Sequence, residues 1–478
     1  MPMSSEKLSL RTLEGGEVEL DLSLLEMIPD EGRLRPGDSG FDEATLIWNG
    51  LIDKEPALVI QPEGADEVAA VVNLAREHRL LFSIKGGGHN ISGLALADRG
   101  VTLDMARMRE VRVDPDQRLV HVGPGCLLGD VDRATQELGL ATTLGFVSET
   151  GVAGLTLGGG FGYLSRRFGF TVDDLVEVEI VTADGHVRMA SRESDPDLFW
   201  AIRGGGGNFG VVTEFTYRLH EVGPGITAGL IAWPAEDHAE DVLGLYRDLT
   251  ASAPNELTLV ATMRLAPPAP FIPEMWHGKP IVAMIACHSG DPDAAEQDLA
   301  PIKGFGRPIA DLIVPKTYVE QQSMLNATQP KGANYYWKTE FIPELSEGYL
   351  ESVRANAAEI ESSMSQVITF HIAGGVNDHA EDDGAVGNRD AAFVVGAAAA
   401  WPSTDPNADI HQQWARSSWD RIRPFSTGGN YINFQTTDDD ATRIESAYRG
   451  NYERLRRIKA EYDPENLFRV NRNLEPTG

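Results

Sequence analysis

The chain has 478 residues, with 72 acidic against 41 basic side chains and a formal net charge of −31. That balance opposes nucleic-acid binding, which needs a basic face to neutralise phosphate. The length exceeds one ordinary core, so two domains are expected. Residues 1–30 lack a basic start followed by an apolar run and a small-residue cleavage site, and no later run approaches a membrane span. The expectation is a soluble, cytoplasmic protein with neither membrane nor nucleic acid as a partner. The acidity, spread along the chain, reads either as a solubility feature or as adaptation to a salt-rich cytoplasm. Cys126 and Cys287 stand far apart without metal-ligand spacing, and no His-Glu-x-x-His pattern occurs. Both thiols read as buried small hydrophobes, and no metal is expected.

Up to residue 40 the sequence is polar with weak periodicity, which reads as an N-terminal extension. From residue 57 the pattern becomes strand, helix, strand: Val59 and Ile60, apolar residues at helical spacing from Ala65 to His78, then Leu80 to Ile84. This β-α-β unit ends in the glycine loop of "FSIKGGGHNISG". Strands "GVTLDMARM" and "RLVHVGPGC" follow, then a helix from Leu128 to Leu138 and the glycine tract "TGVAGLTLGGGFGYLSRRFG". Alternating residues flank Ala183-Asp184-Gly185, a hairpin signal. A helix, the loop "RGGGGNFG" and the strand "VVTEFTYRLH" close a unit spanning residues 41–220. Residues 221–420 change character, with more proline, strands such as "KPIVAMIACHS" and a helix from Glu347 to Met364, and read as a second domain. Residues 421–478 end in a basic amphipathic helix stopped at Asp463-Pro464.

Glycine-rich loops serve several ligands, and spacing discriminates among them. Neither a Walker lysine-serine ending nor a G-x-G-x-x-G opening a long helix is present. "GGGGNFG" runs straight into a strand, so its amides are not a helix-terminus cradle for a nicotinamide nucleotide. "IKGGGHNISG", "TGVAGLTLGGGFGYLSRRFG", "VTADG", "DPDLFWAIRGGGGNFGVVT", "YINF" and "YDPENLFRVNRN" follow one another as in the berberine bridge enzyme-like FAD-linked oxidases, within the vanillyl-alcohol oxidase superfamily. The chain resembles that family over residues 45–478.

The resemblance implies an α+β fold. It would have a PCMH-type FAD-binding domain of two α+β subdomains, rejoined by the C-terminal segment, and a substrate domain with a large antiparallel β-sheet flanked by helices. It further implies FAD as cofactor, joined covalently through His89, in a loop where Lys85, Gly86, Gly87, Gly88, Asn90 and Gly93 meet the cofactor. The cysteine that makes a second link in some members aligns with Val147 here, so a single tether is expected. By the same carry-over Gly145, Thr150, Gly151, Gly154, Gly158, Gly159 and Gly160 line the pyrophosphate and isoalloxazine. Val211 and Val212 bracket the adenine end, and Asn433 reaches the flavin from the tail.

The implied chemistry is hydride transfer from an alcohol or amine carbon of a small organic substrate to flavin, then electron transfer to dioxygen with hydrogen peroxide as product. Thr150, at the position said to govern oxygen access in relatives, is about valine-sized. A dehydrogenase with a non-oxygen acceptor is the alternative, followed by a flavin-binding module whose catalysis has decayed. Alcohol oxidation needs a base, and where sugar-oxidising relatives place a tyrosine this chain has Phe434. The remaining candidates are Tyr431, His371 on a strand of the second domain, and Tyr336 and Lys338, which with Glu340 share one strand face. Without a base, amine oxidation is favoured, and a strongly negative protein would steer cationic substrates.

Overall fold

A computed structural model describes residues 7–477. Short β-branched runs build its first layer. Leu58–Ile60, Val101–Asp104 and Phe82–Lys85 pair in parallel in that spatial order, with Arg33–Leu34 antiparallel at the edge. Parallel neighbours require a crossover, supplied by the helix Ala65–Glu77. Its Val68, Val71, Val72 and Ala75 bury against Leu58, Phe82 and Val101. The expected N-terminal extension is instead part of this subdomain, its residues 1–6 lying outside the described ones. Strands Lys7–Arg11 and Glu17–Asp21 form a hairpin whose Leu10 and Leu20 join the same core. Strands of five residues are too short for their alternation to stand out in the sequence.

The second subdomain is a five-stranded antiparallel sheet ordered Val187–Ser191, Leu175–Val181, Val211–Arg218, Leu119–Val122 and Val111–Asp114. The chain reverses between the first two strands at Gly185, whose φ of +78° favours glycine. The C-terminal tail returns to this subdomain, where Leu455 and Ile458 pack with Leu198, Phe199 and Phe209. Lys459, fully buried, ties the tail down by donating to Asp463, to the Asn208 carbonyl and to the Phe468 carbonyl. The basic terminal helix is two helices, Ala441–Tyr448 and Tyr452–Tyr462. They break at Arg449, whose φ is +49° and whose guanidinium binds Asp390 and the Thr427 carbonyl.

The second domain is an eight-stranded antiparallel sheet. Its main path runs Ala310–Asp311, Gly225–Pro234, Pro280–His288, Leu257–Leu265, Gln366–His371, Phe393–Trp401 and Asn334–Ile342, with Val314–Thr317 also pairing Gly225–Pro234. Helices Ala235–Thr250, Pro292–Lys303, Glu347–Ala358 and Ala408–Ile422 cover one face through Val242, Tyr246, Leu299, Val353 and Trp414. The opposite face looks toward the glycine loops of the first domain. The segment around residues 378–392 leaves the sheet to clamp the two domains: Arg389 makes a bidentate pair with Asp173, and Arg203 pairs with Asp383. These pairs also occupy the carboxylates of Asp173 and Asp383, which converge with His379.

Candidate active site between the domains

A continuous cavity separates the glycine loops from the uncovered face of the large sheet. Two loops meet at its base, where a Cβ added to Gly87 or to Gly151 would collide with the backbone of the other. Only glycine allows that approach. Gly154 and Gly207 also line the cavity, yet nothing lies within 4 Å of a Cβ at either position. Their bare backbone borders open space, as close approach of an extended ligand requires.

His89 stands in this wall, stacked on Trp48 at 5.5 Å, and Trp48 in turn stacks on Tyr335 at 3.7 Å. Burial, assisted by the positive charge of Lys331, pushes the imidazole down to about 4, and its Nε2 has no hydrogen-bond partner. The ring is therefore neutral at physiological pH, with an uncommitted nitrogen facing its surroundings. That is the state an imidazole needs to act as a nucleophile.

Gly86, Gly87, Gly88, Asn90, Gly145, Thr150, Gly151, Gly154, Val211, Val212 and Asn433 line the cavity with His89. Five expected cofactor residues do not. Lys85 is buried in a 2.9 Å pair with Asp104. Gly93 makes room for Ile52, Gly158 for the amide of Asn433, Gly159 for Val386 and Gly160 for Thr171. Their lack of a side chain serves packing behind the wall. Val147 lines the cavity, whereas Cys126 is buried with its thiol toward the Glu110 carbonyl, and Cys287 lies in an apolar cluster.

Among the proposed catalytic residues only Tyr431 reaches the cavity. Its hydroxyl accepts from the Gly160 N–H at 3.1 Å and from the Asn433 amide at 3.0 Å, and burial pushes the phenol up to about 12. Tyr336, Lys338 and His371 are corrected by strand register. Tyr336 and Lys338 point to the helix-covered face, where Tyr336 donates to Asp438 and Lys338 pairs with Asp438 and Asp439 at 2.9 Å. Glu340, on the same face, is gripped by Trp419, Ser426 and Arg443. His371 stacks on Phe393 at 5.1 Å, and burial pushes its imidazole far below the usual range. The cavity is faced by their neighbours Trp337, Gln366, Ile368 and Phe370.

Sequence reasoning missed these residues, together with Thr262 and Arg264 on the adjoining strand and the aromatic pair Phe146 and Phe161. The aromatics form a box: Phe161 meets Phe370 at 5.4 Å, Tyr431 at 4.9 Å and Phe434 at 6.0 Å. From the tail, Arg472 lines the cavity while donating to Ser92, Gln435 and Thr436. Among the described residues no Asp or Glu lines it.

A two-subdomain glycine-loop module beneath a large antiparallel sheet, with a cavity between them, is the architecture of an FAD-dependent oxidoreductase. Comparison with known proteins agrees. A family profile described as "FAD binding domain" matches residues 56–191, and one described as "Berberine and berberine like" matches residues 430–475. The (R)-6-hydroxynicotine oxidase of Paenarthrobacter nicotinovorans is 31% identical over 93% of this chain and 96% of its own length. An FAD-linked oxidoreductase of Dictyostelium discoideum is 30% identical over 90% of this chain and 91% of its own. The crystal structure of 6-hydroxy-D-nicotine oxidase from Arthrobacter nicotinovorans superposes with a TM-score of 0.82 at 29% identity, covering 93% of this chain and 98% of that one. The chain belongs to the berberine bridge enzyme-like family of FAD-linked oxidoreductases. The glycine-bordered space and the neutral, unpartnered His89 fit FAD as its cofactor.

Proposed function

We propose that this protein is an oxidase that holds FAD by one covalent bond to His89 and oxidises an amine carbon of a small organic molecule, or secondarily an alcohol carbon, with dioxygen as acceptor and hydrogen peroxide as product. The observation that carries the reading is the cavity wall: one neutral imidazole with a free nitrogen beside bare glycine backbone, and no carboxylate or lysine among its described lining residues. Bound flavin supplies a two-electron acceptor for hydride and, once reduced, a donor to dioxygen.

The chain's own groups supply position and environment. Phe146, Phe161, Phe370 and Phe434 exclude water from the substrate end. Tyr431, held protonated by burial, is a hydrogen-bond partner and not a base at neutral pH. A wall without a neutral-range base favours a substrate that needs none. A neutral amine meets that condition, whereas an alcohol must lose its hydroxyl proton. The name of the Paenarthrobacter relative, a 6-hydroxynicotine oxidase, is consistent with a nitrogen-bearing carbon. Thr150, half-buried in the wall, is the residue assigned to oxygen access.

The test is a denaturing gel viewed for flavin fluorescence, run on wild type and His89→Ala, with peptide mass mapping of the fluorescent band. Fluorescence confined to wild type and to a His89 peptide is expected. Flavin released from wild type by denaturation would refute the tether. A panel of amines and alcohols is then assayed for peroxide release. Dye reduction without peroxide would replace dioxygen by another acceptor.

A further inference from the structure

Arg264 is a partly buried cation with no counter-ion among the described residues. One guanidinium nitrogen donates to the Ser363 carbonyl at 2.6 Å, while Nε is buried with no partner. No ion pair reaches it from the described residues. Burial with no acid nearby pushes it down to about 10, so it keeps its charge at neutral pH. The chain carries 72 acidic residues, yet none of those described lines the cavity that Arg264 faces. Drawing a charge partly out of water without a counter-ion, with its Nε fully buried, is costly, which makes this arrangement informative.

Strand register fixes what surrounds it. Arg264 lies opposite Gln366, Thr262 opposite Ile368 and Val260 opposite Phe370. The Thr262 hydroxyl donates to Gln366 Oε1 at 2.9 Å. That bond turns the Gln366 amide so that its nitrogen, which has no acceptor among the described residues, is available beside Arg264. Phe370, at the other end of the same strand face, packs on Phe146 at 5.0 Å and Phe161 at 5.4 Å, next to the glycine loops. The four residue steps from Phe370 to Gln366 span about 13 Å at roughly 3.3 Å each. Between the two ends the wall carries Ile368 and Ala283, with Thr262 between them committing its hydroxyl to Gln366.

We propose that Arg264 and Gln366 form a carboxylate-binding subsite, and that the substrate is an elongated molecule with an apolar middle and a carboxylate at the end remote from the oxidised carbon. The inference rests on reading this cavity as the substrate pocket. A planar guanidinium and an adjacent amide donor match the two oxygens of a carboxylate. The subsite also reverses the selectivity that net charge alone suggests. Surface charges are screened beyond about 8 Å at physiological ionic strength, whereas a partly desolvated cation lining the cavity acts on whatever enters.

The test is calorimetric titration of the flavin-loaded protein with biphenyl-4-carboxylate and its neutral isostere biphenyl-4-carboxamide. The acid should bind at least tenfold more tightly than the amide. In Arg264→Gln the two should bind within about twofold of each other, with the larger loss of affinity falling on the acid, and Arg264→Lys should fall between. The lysine variant carries the comparison should the glutamine variant fail to fold. Equal binding of acid and amide to wild type, no binding of the acid, or an acid preference undiminished in Arg264→Gln or in Arg264→Lys would overturn the proposal. Flavin absorbance of each sample is recorded separately. A wild type lacking flavin would count against the FAD reading, while the acid–amide comparison would still decide the subsite.

Discussion

Tyr431→Phe separates a structural phenol from a catalytic one. The substitution keeps the ring, and with it the contacts to Phe161 at 4.9 Å and Phe434 at 4.8 Å, but removes the oxygen that accepts from Gly160 and Asn433. Asn433 retains its bond to the Leu155 carbonyl at 3.1 Å, so its loss is modest. The buried Gly160 N–H is left without an acceptor, which costs about 1–3 kcal/mol, and the weakened Asn433 contact adds about 1. The sum is about 2–4 kcal/mol. With an unfolding entropy near 2.1 cal/mol/K per residue, unfolding of the whole chain as one unit converts this to a fall in Tm of about 2–4 °C. Calorimetry measures it. Because the folded phenol titrates near 12 and the unfolded one near 10, the tyrosine contributes stability in full below pH 10 and loses it as pH rises through 12. The variant should lack that alkaline loss. With a substrate found by peroxide release, the pH profile of kcat/KM between 6 and 9 should keep its shape. An unchanged Tm together with a hundredfold fall in kcat and the loss of one limb of that profile would refute the reasoning and make Tyr431 the base.

The two kinds of glycine should respond oppositely. Gly154→Leu enters open space, so calorimetry should show the flavin-free fold undisturbed while flavin content per protein drops, whereas Gly158→Ala forces the Asn433 amide out of place and should destabilise by about 1–3 kcal/mol. Lys338→Met removes one partner of Asp439, 4% exposed, which keeps Arg443 at 3.4 Å, and should cost about 1–3 kcal/mol in denaturant titration. A loss of catalytic pH dependence without that cost would return Lys338 to the active site. For His89, the folded imidazole near 4 lies below the unfolded value of 6.5, so the unfolded chain binds more protons between those limits. The flavin-free protein should therefore be fully stable above pH 6.5 and lose up to about 3 kcal/mol toward pH 4. His89→Gln should flatten that part of the profile, read by denaturant midpoints across the pH range.

Local chemistry was the legible part of this chain. The β-α-β unit at residues 58–85, the hairpin at Gly185 and the strand runs of the second domain follow from periodicity and turn residues acting over a few positions. The loop carrying His89 was legible for the same reason, since three consecutive glycines beside one imidazole restrict what the segment can do. Which face of a strand looks into the cavity was not. Asn334–Ile342 and Gln366–His371 are buried on both sides, so apolar and polar residues do not alternate with the environment. A one-residue change of viewpoint exchanges Lys338 for Trp337 and His371 for Phe370. The tertiary structure alone decided that exchange, by laying four helices on one face and the glycine loops on the other. It also gave the proposed role of Arg264 its basis, because an arginine is unremarkable in a sequence and draws notice only where folding sets it in a cavity that no described carboxylate lines.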